Sequence, residues 1–220
     1  MLFFLPTPIG NKSDITLRTL EMLKELQIFL CEDTRTAKKL FQMYEIPIKD
    51  KHFFVYTSFI DKNKYKKLIS EQNVGVLSEA GTPGLSDPGK ALIQLCNAHQ
   101  LAYSILPWSN ALIPAVVGAW FDTSIFTFLG FLPAKKGRQT ALKDVFNRSH
   151  PTFFYESVHR FEKLLNELEN LWFQGKISIA REISKLFEQY FTGTLEEAKQ
   201  LIKSWNLQVK GEFVIWLSPR

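Results

Sequence analysis

The first 120 residues alternate short apolar runs with longer amphipathic segments. Such runs predict buried strands, and the segments between them repeat apolar residues at the spacing of one helix face. Buried strands separated by helices of about ten residues are typical of a parallel sheet built from βαβ units. The predicted strands are 2–5, 28–31, 53–56, 74–77 and 102–106, and the predicted helices are 14–26, 34–44, 62–71, 88–99 and 110–119.

After Trp120 the pattern changes, because extended segments now follow one another as well as alternating with helices. This mixture predicts a second α/β domain with a mixed sheet. The fold class is therefore α/β with two domains, and we place the domains at residues 1–112 and 113–220. The predicted extended segments are 124–131, 152–155, 177–181, 186–192 and 211–217, and the predicted helices are 139–146, 160–171 and 195–204.

The composition indicates where the protein occurs in the cell more than it indicates which reaction it catalyses. The 220 residues include 27 basic and 22 acidic ones, and this excess of positive charge is compatible with a polyanionic partner. Cys31 and Cys96 are too few for a disulfide framework and match no metal-ligand spacing, so we expect no metal site. No stretch approaches the ~20 apolar residues of a membrane span, and the N-terminus lacks the features of a signal peptide. We expect a cytoplasmic protein without a membrane partner.

Two loops after predicted strands are candidates for ligand binding, because ligands of parallel sheets bind at the carboxyl ends of the strands. The first is Thr7-Pro8-Ile9-Gly10-Asn11, which is either a ligand loop or an ordinary tight turn. It is not GxGxxG, so it does not support a dinucleotide site.

The second loop, SEAGTPGLSDPG at 78–89, holds three glycines, two prolines and two carboxylates. It is much longer than the ~2–6 residues that a connection of this kind needs. Glycine allows close approach of the backbone to a ligand, and proline fixes the loop shape in advance. No GK[ST] is present, which excludes a phosphate-binding P-loop. The pattern favours a ligand-binding loop.

Charged groups follow several predicted strands, and each group has two interpretations. Glu32-Asp33-Thr34-Arg35 is either a helix cap with Asp33 at its start or a polar rim of a site. Glu156-Ser157-Val158-His159-Arg160 and the group around Arg181, Glu182 and Lys185 are either surface residues or catalytic ones. Two basic runs are either solvated helix faces or phosphate contacts: Lys62, Lys64, Lys66 and Lys67, and Lys135, Lys136 and Arg138.

Eight blocks occur in the order typical of one family: TPIGNKSDITLRTL, CEDTRTAKKL, SEAGTPGLSDPG, GFLPAKKGR, FYESVHR, AREISKLFE, GTLEEA and KGEFV. With these blocks the chain resembles the ribosomal RNA small-subunit methyltransferase I group of the tetrapyrrole methylase superfamily. The resemblance implies a homodimeric two-domain methylase that binds S-adenosylmethionine in the cleft between its domains. It also implies methylation of the ribose 2′-oxygen of a decoding-site cytidine, cytidine 1402, in the 16S rRNA of the small ribosomal subunit.

The resemblance assigns roles to residues at matching positions. Glu32, Asp33 and Arg35 would line the substrate side. The chemistry, and not the resemblance, adds further candidates, because a ribose hydroxyl is a poor nucleophile and a base or a cation would help it. The candidate bases are Glu79, Glu156 and His159, the candidate cations are Arg35, Arg160 and Lys185, and the sequence does not choose among them. The cofactor-binding residues would be Pro8, Gly10, Ala80, Gly81, Thr82, Leu85, Asn110, Ala111, Tyr155, Ala180 and Gly211.

Two other functions remain open at this point. Methylation of a tetrapyrrole is disfavoured, because the EDTR, FYES-HR and KGEFV blocks are those of the rRNA group. A ribosome-binding factor without catalysis is the other possibility. Its only support is Trp108, which stands where the family pattern has a turn glycine beside the cofactor.

The tryptophans share an unusual placement. Trp120, Trp172 and Trp205 each follow a predicted helix, where glycine is the favoured residue. Glycine is also scarce, because 11 glycines in 220 residues are about 5% of the chain and the usual share is ~7%. We hypothesise that the gene reads UGA as glycine, and that Trp108, Trp120, Trp172, Trp205 and Trp216 are glycines in the organism. The codons at these five positions decide this.

Overall fold

The computed structural model describes residues 1–57, 61–107, 110–120 and 122–218. Two compact units divide the chain, Met1–Asn110 and Ala111–Arg220. The position of a cofactor between them stays a prediction. Trp108 lies outside the described residues, so its predicted effect on the cofactor also stays a prediction.

The first unit is built on a parallel five-stranded sheet, as its apolar pattern predicts. The strand order is β3-β2-β4-β1-β5, which places β3 at one edge. Its strands are β1 (Leu2–Phe4), β2 (Ile28–Cys31), β3 (His52–Val55), β4 (Val74–Leu77) and β5 (Tyr103–Ile105), and its helices are α1 (Leu17–Glu25), α2 (Thr34–Met43), α3 (Lys62–Glu71) and α4 (Lys90–Ala98).

Helices cover both faces of this sheet. Leu23 of α1 and Phe41 of α2 lie in one apolar cluster, whereas Tyr65 of α3 and Leu92 of α4 lie in the other. Each helix follows its strand, so the helix N-termini lie at the carboxyl edge of the sheet, where ligands of such folds bind.

The second unit contains a mixed sheet with strand order β6-β7-β10-β8-β9. Among its described strands, β6 and β7 pair in parallel, and the other pairs are antiparallel. Helices α6, α7 and α8 enclose one apolar core with the sheet. Its elements are α5 (Leu112–Gly118), β6 (Thr127–Phe131), α6 (Arg138–Phe146), β7 (Thr152–Ser157), α7 (Val158–Asn170), β8 (Lys176–Arg181), β9 (Gln189–Thr194), α8 (Leu195–Lys203) and β10 (Glu212–Leu217).

In this unit, two helices are followed by a tryptophan that has left-handed backbone. Trp172 follows α7 with φ of 55°, and Trp205 follows α8 with φ of 60°. The amide of Trp172 donates to Glu169 O, and the next amide, of Phe173, donates to Leu168 O, which is the hydrogen-bonding pattern that favours glycine at this position. The expectation of a glycine-type helix end is confirmed for these two residues. It is wrong for Trp120, which is not among the described residues with positive φ.

Glu45 and Gln100 take the same left-handed conformation after α2 and α4. The conformation therefore does not by itself identify a missing glycine. Within the described residues, no helix is long and apolar enough to cross a bilayer.

Candidate functional site

The two loops singled out in the sequence are joined by backbone hydrogen bonds. The amide of Thr7 donates to Gly81 O at 2.9 Å, and the amide of Gly81 donates to Thr7 O at 3.0 Å. Gly81 has φ of 78°, a conformation that side chains disfavour, and a Cβ there would lie 3.4 Å from Ile9. Residues 7 and 81 thus fasten the first loop, with Pro8 and Gly10, to the long loop.

Internal hydrogen bonds define the shape of the long loop. Asp87 accepts from the amides of Gly84 and Gly89 at 2.7–2.9 Å. The Ser78 hydroxyl donates to Ala80 O and Gly81 O, and the amide of Leu85 donates to Thr82 O. The predicted cofactor residues of this loop, Ala80, Gly81, Thr82 and Leu85, therefore belong to a segment whose backbone is fixed by its own contacts.

Acidic groups gather where β2 and β4 end. Glu32 Oε1 accepts from the amide of Glu79 at 3.3 Å. Burial raises the pKa of Glu32, and the negative charge of Asp87 raises it further. Burial also raises the pKa of Asp87, although the amides of the long loop oppose that shift. The side chain of Glu79 is exposed. Glu32, directly after β2, and Asp87, in the long loop, are therefore carboxyl groups that take up protons more readily than ordinary ones.

Two buried hydroxyls in this unit have no hydrogen-bond partner among the described residues. They are Thr7 Oγ1, directly after β1, and Tyr56 Oη, directly after β3. Burial raises the pKa of Tyr56, as do the nearby charges of Asp87 and Glu32, so its phenol remains a neutral donor. Buried polar groups normally have partners, and a polar ligand at this sheet edge would supply them.

Asp33 and Arg35 combine the two interpretations that their sequence left open. Asp33 is the N-cap of α2 and accepts from the amide of Arg35 at 2.6 Å. The Arg35 guanidinium returns to the same carboxylate, with Nη2 2.7 Å from Oδ2, and lowers the pKa of Asp33 to about 2. The side chain of Arg35 is 87% exposed, so it remains accessible at the start of α2.

In the second unit, Glu156 lies in a buried ion network. Its Oε2 accepts from Arg138 Nη2 at 2.7 Å, and its Oε1 lies 2.8 Å from Arg160 Nε. Arg138 also donates to Glu167 at 2.7 Å. The interpretation of Arg138 as part of a solvated basic run is wrong, because its side chain is only 2% exposed and fully used inside the unit.

This network limits what its members can do chemically. Both oxygens of Glu156 are held by guanidinium groups, and Arg160 also donates to Ser157 Oγ and Leu132 O. Glu156 therefore has no oxygen free for a substrate, which argues for a positioning role instead of proton transfer. His159, between Glu156 and Arg160 in sequence, is exposed near the start of α7.

The predicted cofactor residues of the second unit lie in two places. Tyr155 and Ala180 flank Val214 in one row across β7, β10 and β8. The Tyr155 ring packs against Phe128 and Phe131, with centroids 4.9 and 5.3 Å away. At the beginning of β10, Gly211 has φ of 89°, and a Cβ there would collide with Glu182.

Glu182 and Glu212 hold the remaining cation candidate, Lys185, at 2.9 Å each. Burial lowers the pKa of Lys185, but the hydrogen bonds to these two carboxylates outweigh it and raise that pKa. Asn110 and Ala111 lie where the two units meet in sequence. Across the parts of the chain that the structure describes, no group of His, Cys, Asp or Glu is arranged to hold a metal ion.

Sequence reasoning missed three residues of these sites. They are Tyr56, Asp87, whose carboxylate accepts from two amides of the long loop, and Arg138, which is the centre of the buried network. The position of Tyr56 as the last residue of the predicted strand 53–56 was a usable signal. Pairing of Arg138 with Glu156 and Glu167 brings together residues 18 and 29 positions apart, and nothing in the sequence indicates which acids an arginine will meet.

The curated relatives extend over almost the whole chain. A ribosomal RNA small subunit methyltransferase I of Helicobacter pylori (strain J99) is 37% identical and covers 99% of this chain and 82% of its own length. The protein of that name from a Hydrogenobaculum species (strain Y04AAS1) is 36% identical and covers 99% and 95%. That from Borrelia garinii is 35% identical and covers 99% and 98%.

Solved structures share the fold at low sequence identity. Diphthine synthase matches with a TM-score of 0.71 at 15% identity, over 99% of this chain and 89% of its own. Uroporphyrin-III C-methyl transferase from Thermus thermophilus, solved with S-adenosylhomocysteine, matches with 0.64 at 14%, over 99% and 96%. The model of the Tetrapyrrole (Corrin/Porphyrin) Methylases matches residues 1–199. With its parallel sheet, its paired loops and these relatives, the chain belongs to the tetrapyrrole methylase family.

Proposed function

We propose that the protein is an S-adenosylmethionine-dependent methyltransferase that modifies the RNA of the small ribosomal subunit, at the ribose 2′-oxygen of decoding-site cytidine 1402. The observation that carries this proposal is the set of relatives at 35–37% identity, which share one name over nearly the full chain. A tetrapyrrole substrate has weaker support, because the proteins with that chemistry in their titles match at 12–15% identity and so share the fold alone.

The loops of the first unit offer polar groups to a cofactor. S-adenosylmethionine, when bound, supplies a methyl group on a positively charged sulfur. Pro8, Gly10 and the residues of the long loop would hold it with backbone groups, and the unpartnered hydroxyl of Thr7 fits a polar ligand there. Tyr155, Ala180 and Gly211 are the proposed contacts from the second unit.

The chain must align the attacking ribose hydroxyl with the methyl group, and it must accept the proton that the hydroxyl loses. Alignment within ~3–3.5 Å supplies much of the rate enhancement. Glu79 and Glu32 are the best-placed bases, because they adjoin the loops, and the raised pKa of Glu32 suits proton transfer. Exposed Arg35 would stabilise developing negative charge on the oxygen. Glu156 and Arg160 would position neighbouring residues without accepting the proton.

Transfer of a labelled methyl group from S-adenosylmethionine to small ribosomal subunits that lack the modification tests this function. The protein is prepared with tryptophan and, separately, with glycine at the five doubtful positions, and the labelled nucleotide is mapped. Label on a decoding-site ribose from the glycine form establishes the function. Cofactor binding without label redirects the search to other acceptors, and loss of cofactor binding in both forms favours a factor without catalysis.

We further propose that the protein acts as a homodimer in the cytoplasm, where ribosomal subunits are assembled. The second unit carries large apolar side chains in solvent: Val117 on α5 and Leu186 and Phe187 before β9 are 78%, 89% and 65% exposed. A second copy of the chain would cover them. Sedimentation of the protein and of L186D/F187D tests this, and a monomer at all concentrations for both proteins contradicts it.

A further inference from the structure

Positive charge is concentrated beside β3, the edge strand of the first unit. Lysines of α2 and α3 flank this strand, and we name these six residues the basic rim: Lys38, Lys39, Lys62, Lys64, Lys66 and Lys67. All six side chains are exposed. Among the residues that the structure describes, none of the six forms a salt bridge, whereas Lys163, Lys185 and Lys199 of the second unit all do.

The rim reaches the strand from both faces of the sheet. Lys38 Nζ lies 6.0 Å from the ring centroid of Phe53, and Lys64 Nζ lies 5.4 Å from that of Phe54. Neighbouring residues of a strand point to opposite faces, so α2 and α3 bring cations to one edge from opposite sides. Such an edge presents cations beside partly exposed aromatic rings, a combination that suits single-stranded RNA.

Helix stability does not explain where these lysines stand. The N-terminus of a helix carries partial positive charge, so lysine there is electrostatically unfavourable. Yet four lysines occupy the first two turns of α3, and the first turn contains no acidic residue. Asp61 accepts from the backbone amide of Lys64, and Asp33 is paired with Arg35, so neither carboxylate forms a salt bridge with a lysine of the rim. The positive charge of the rim is therefore available to an outside anion.

We infer that the basic rim is the surface on which this protein docks the phosphate backbone of its RNA. The inference rests on the proposed function and adds where the RNA binds. Because α2 and α3 begin at the carboxyl edge of the sheet, RNA on the rim would run beside the loops that carry Thr7 and Gly81. Phosphate contacts of this kind position the RNA without reading its sequence.

Binding of a decoding-site 16S rRNA hairpin at several KCl concentrations tests this surface. The variant K62Q/K64Q/K66Q/K67Q removes four rim charges. The control K24Q/K143Q/K203Q/K210Q removes four exposed lysines elsewhere, three of them in the last turns of α1, α6 and α8, where the helix dipole favours them. Both variants therefore lower the net charge equally.

We expect the rim variant to bind the hairpin at least about tenfold more weakly at low salt. The slope of log affinity against log salt should fall by roughly 3, since each phosphate contact to a single strand contributes about 0.7. The control should stay within about twofold of the wild type. Calorimetry with S-adenosylmethionine should match the wild type for both variants. Both should keep a cooperative thermal transition, with the rim variant melting slightly higher and the control slightly lower, as the helix dipole predicts, and this excludes misfolding.

Equal losses for rim and control variants would overturn the inference, because net charge alone would then explain binding. A competition experiment gives the second contrary result. If an acidic peptide such as poly-glutamate displaces the hairpin as effectively as unlabelled RNA does, the rim binds a protein partner, and the inference is also overturned. Failure of the proposed function looks different, because the wild-type protein would then transfer no labelled methyl group to small ribosomal subunits, whatever the rim and control variants bind.

Discussion

The two units of this protein use cations in opposite ways. In the second unit, Arg138 and Arg160 are enclosed by carboxylates, and α8 begins with Glu196 and Glu197 and ends with Lys203, as the helix dipole favours. In the first unit, the first turn of α3 contains lysines and no acidic residue, and its N-cap Asp61 accepts from a backbone amide. The same residue types therefore form buried ion pairs in one unit, and we infer that they remain available for a partner in the other.

The largest effect should come from breaking the buried network of the second unit. Arg138→Met leaves Glu156 and Glu167 without their shared guanidinium, and removing one partner of a buried ion pair costs about 3–5 kcal/mol. Urea unfolding should show this loss. Lys163→Gln removes an exposed lysine 3.8 Å from the same Glu167 and should cost about 0–1 kcal/mol. If both variants unfold at the same urea concentration, buried and exposed ion pairs do not differ in their contribution to stability, and this contradicts the account.

The helix ends of the second unit offer an effect of opposite sign. Trp172→Gly and Trp205→Gly should each stabilise the protein by roughly 1 kcal/mol, because left-handed backbone is strained in tryptophan and relaxed in glycine. Thermal melting should rise by about 2–4 °C for each.

Trp216→Gly is the control, since Trp216 is buried against Phe153 in β10 and its loss should lower stability. The codons give an independent test of the recoding hypothesis. UGA at the five tryptophan positions supports it, and UGG at all five refutes it.

Charge reversal at the start of α3 should separate stability from binding. K62E/K64E places acids in the first turn, where each contributes about 0.3–1 kcal/mol in favour of the helix. The variant should therefore melt at a slightly higher temperature and yet bind the RNA hairpin more weakly. If stability and binding fall together, the lysines have a structural role and the contrast between the units fails.

The smallest effect concerns the exposed pair of Asp33 and Arg35. Asn also caps helices well, so Asp33→Asn removes the charge and keeps the cap. The folded-state pKa of Asp33, about 2, is below the unfolded value of about 3.9, so its stabilisation is present above about pH 4 and is lost as pH falls toward 2. Melting curves of both proteins should differ at pH 5 and converge near pH 2; a constant difference would contradict the assignment.

The sheet of the first unit could be predicted from its sequence, because buried strands and amphipathic helices alternate there with little ambiguity. The positions of the two loops could be predicted, but their contact could not. The contact of Thr7 with Gly81 depends on β1 and β4 being neighbours in the sheet, and the sequence does not show the strand order. The ion network of Arg138 could not be predicted, because a basic residue beside Lys135 and Lys136 has the same pattern whether it is solvated or enclosed.

Kinetics of methyl transfer to small ribosomal subunits test the central claim most directly. The account predicts ribose-linked label from the wild-type protein, and a higher KM for subunits in K62Q/K64Q/K66Q/K67Q with kcat unchanged. The control K24Q/K143Q/K203Q/K210Q should match the wild type in both constants. Absence of label from wild type, although S-adenosylmethionine binds, would contradict the function, and equal KM values for rim and control variants would contradict the docking surface.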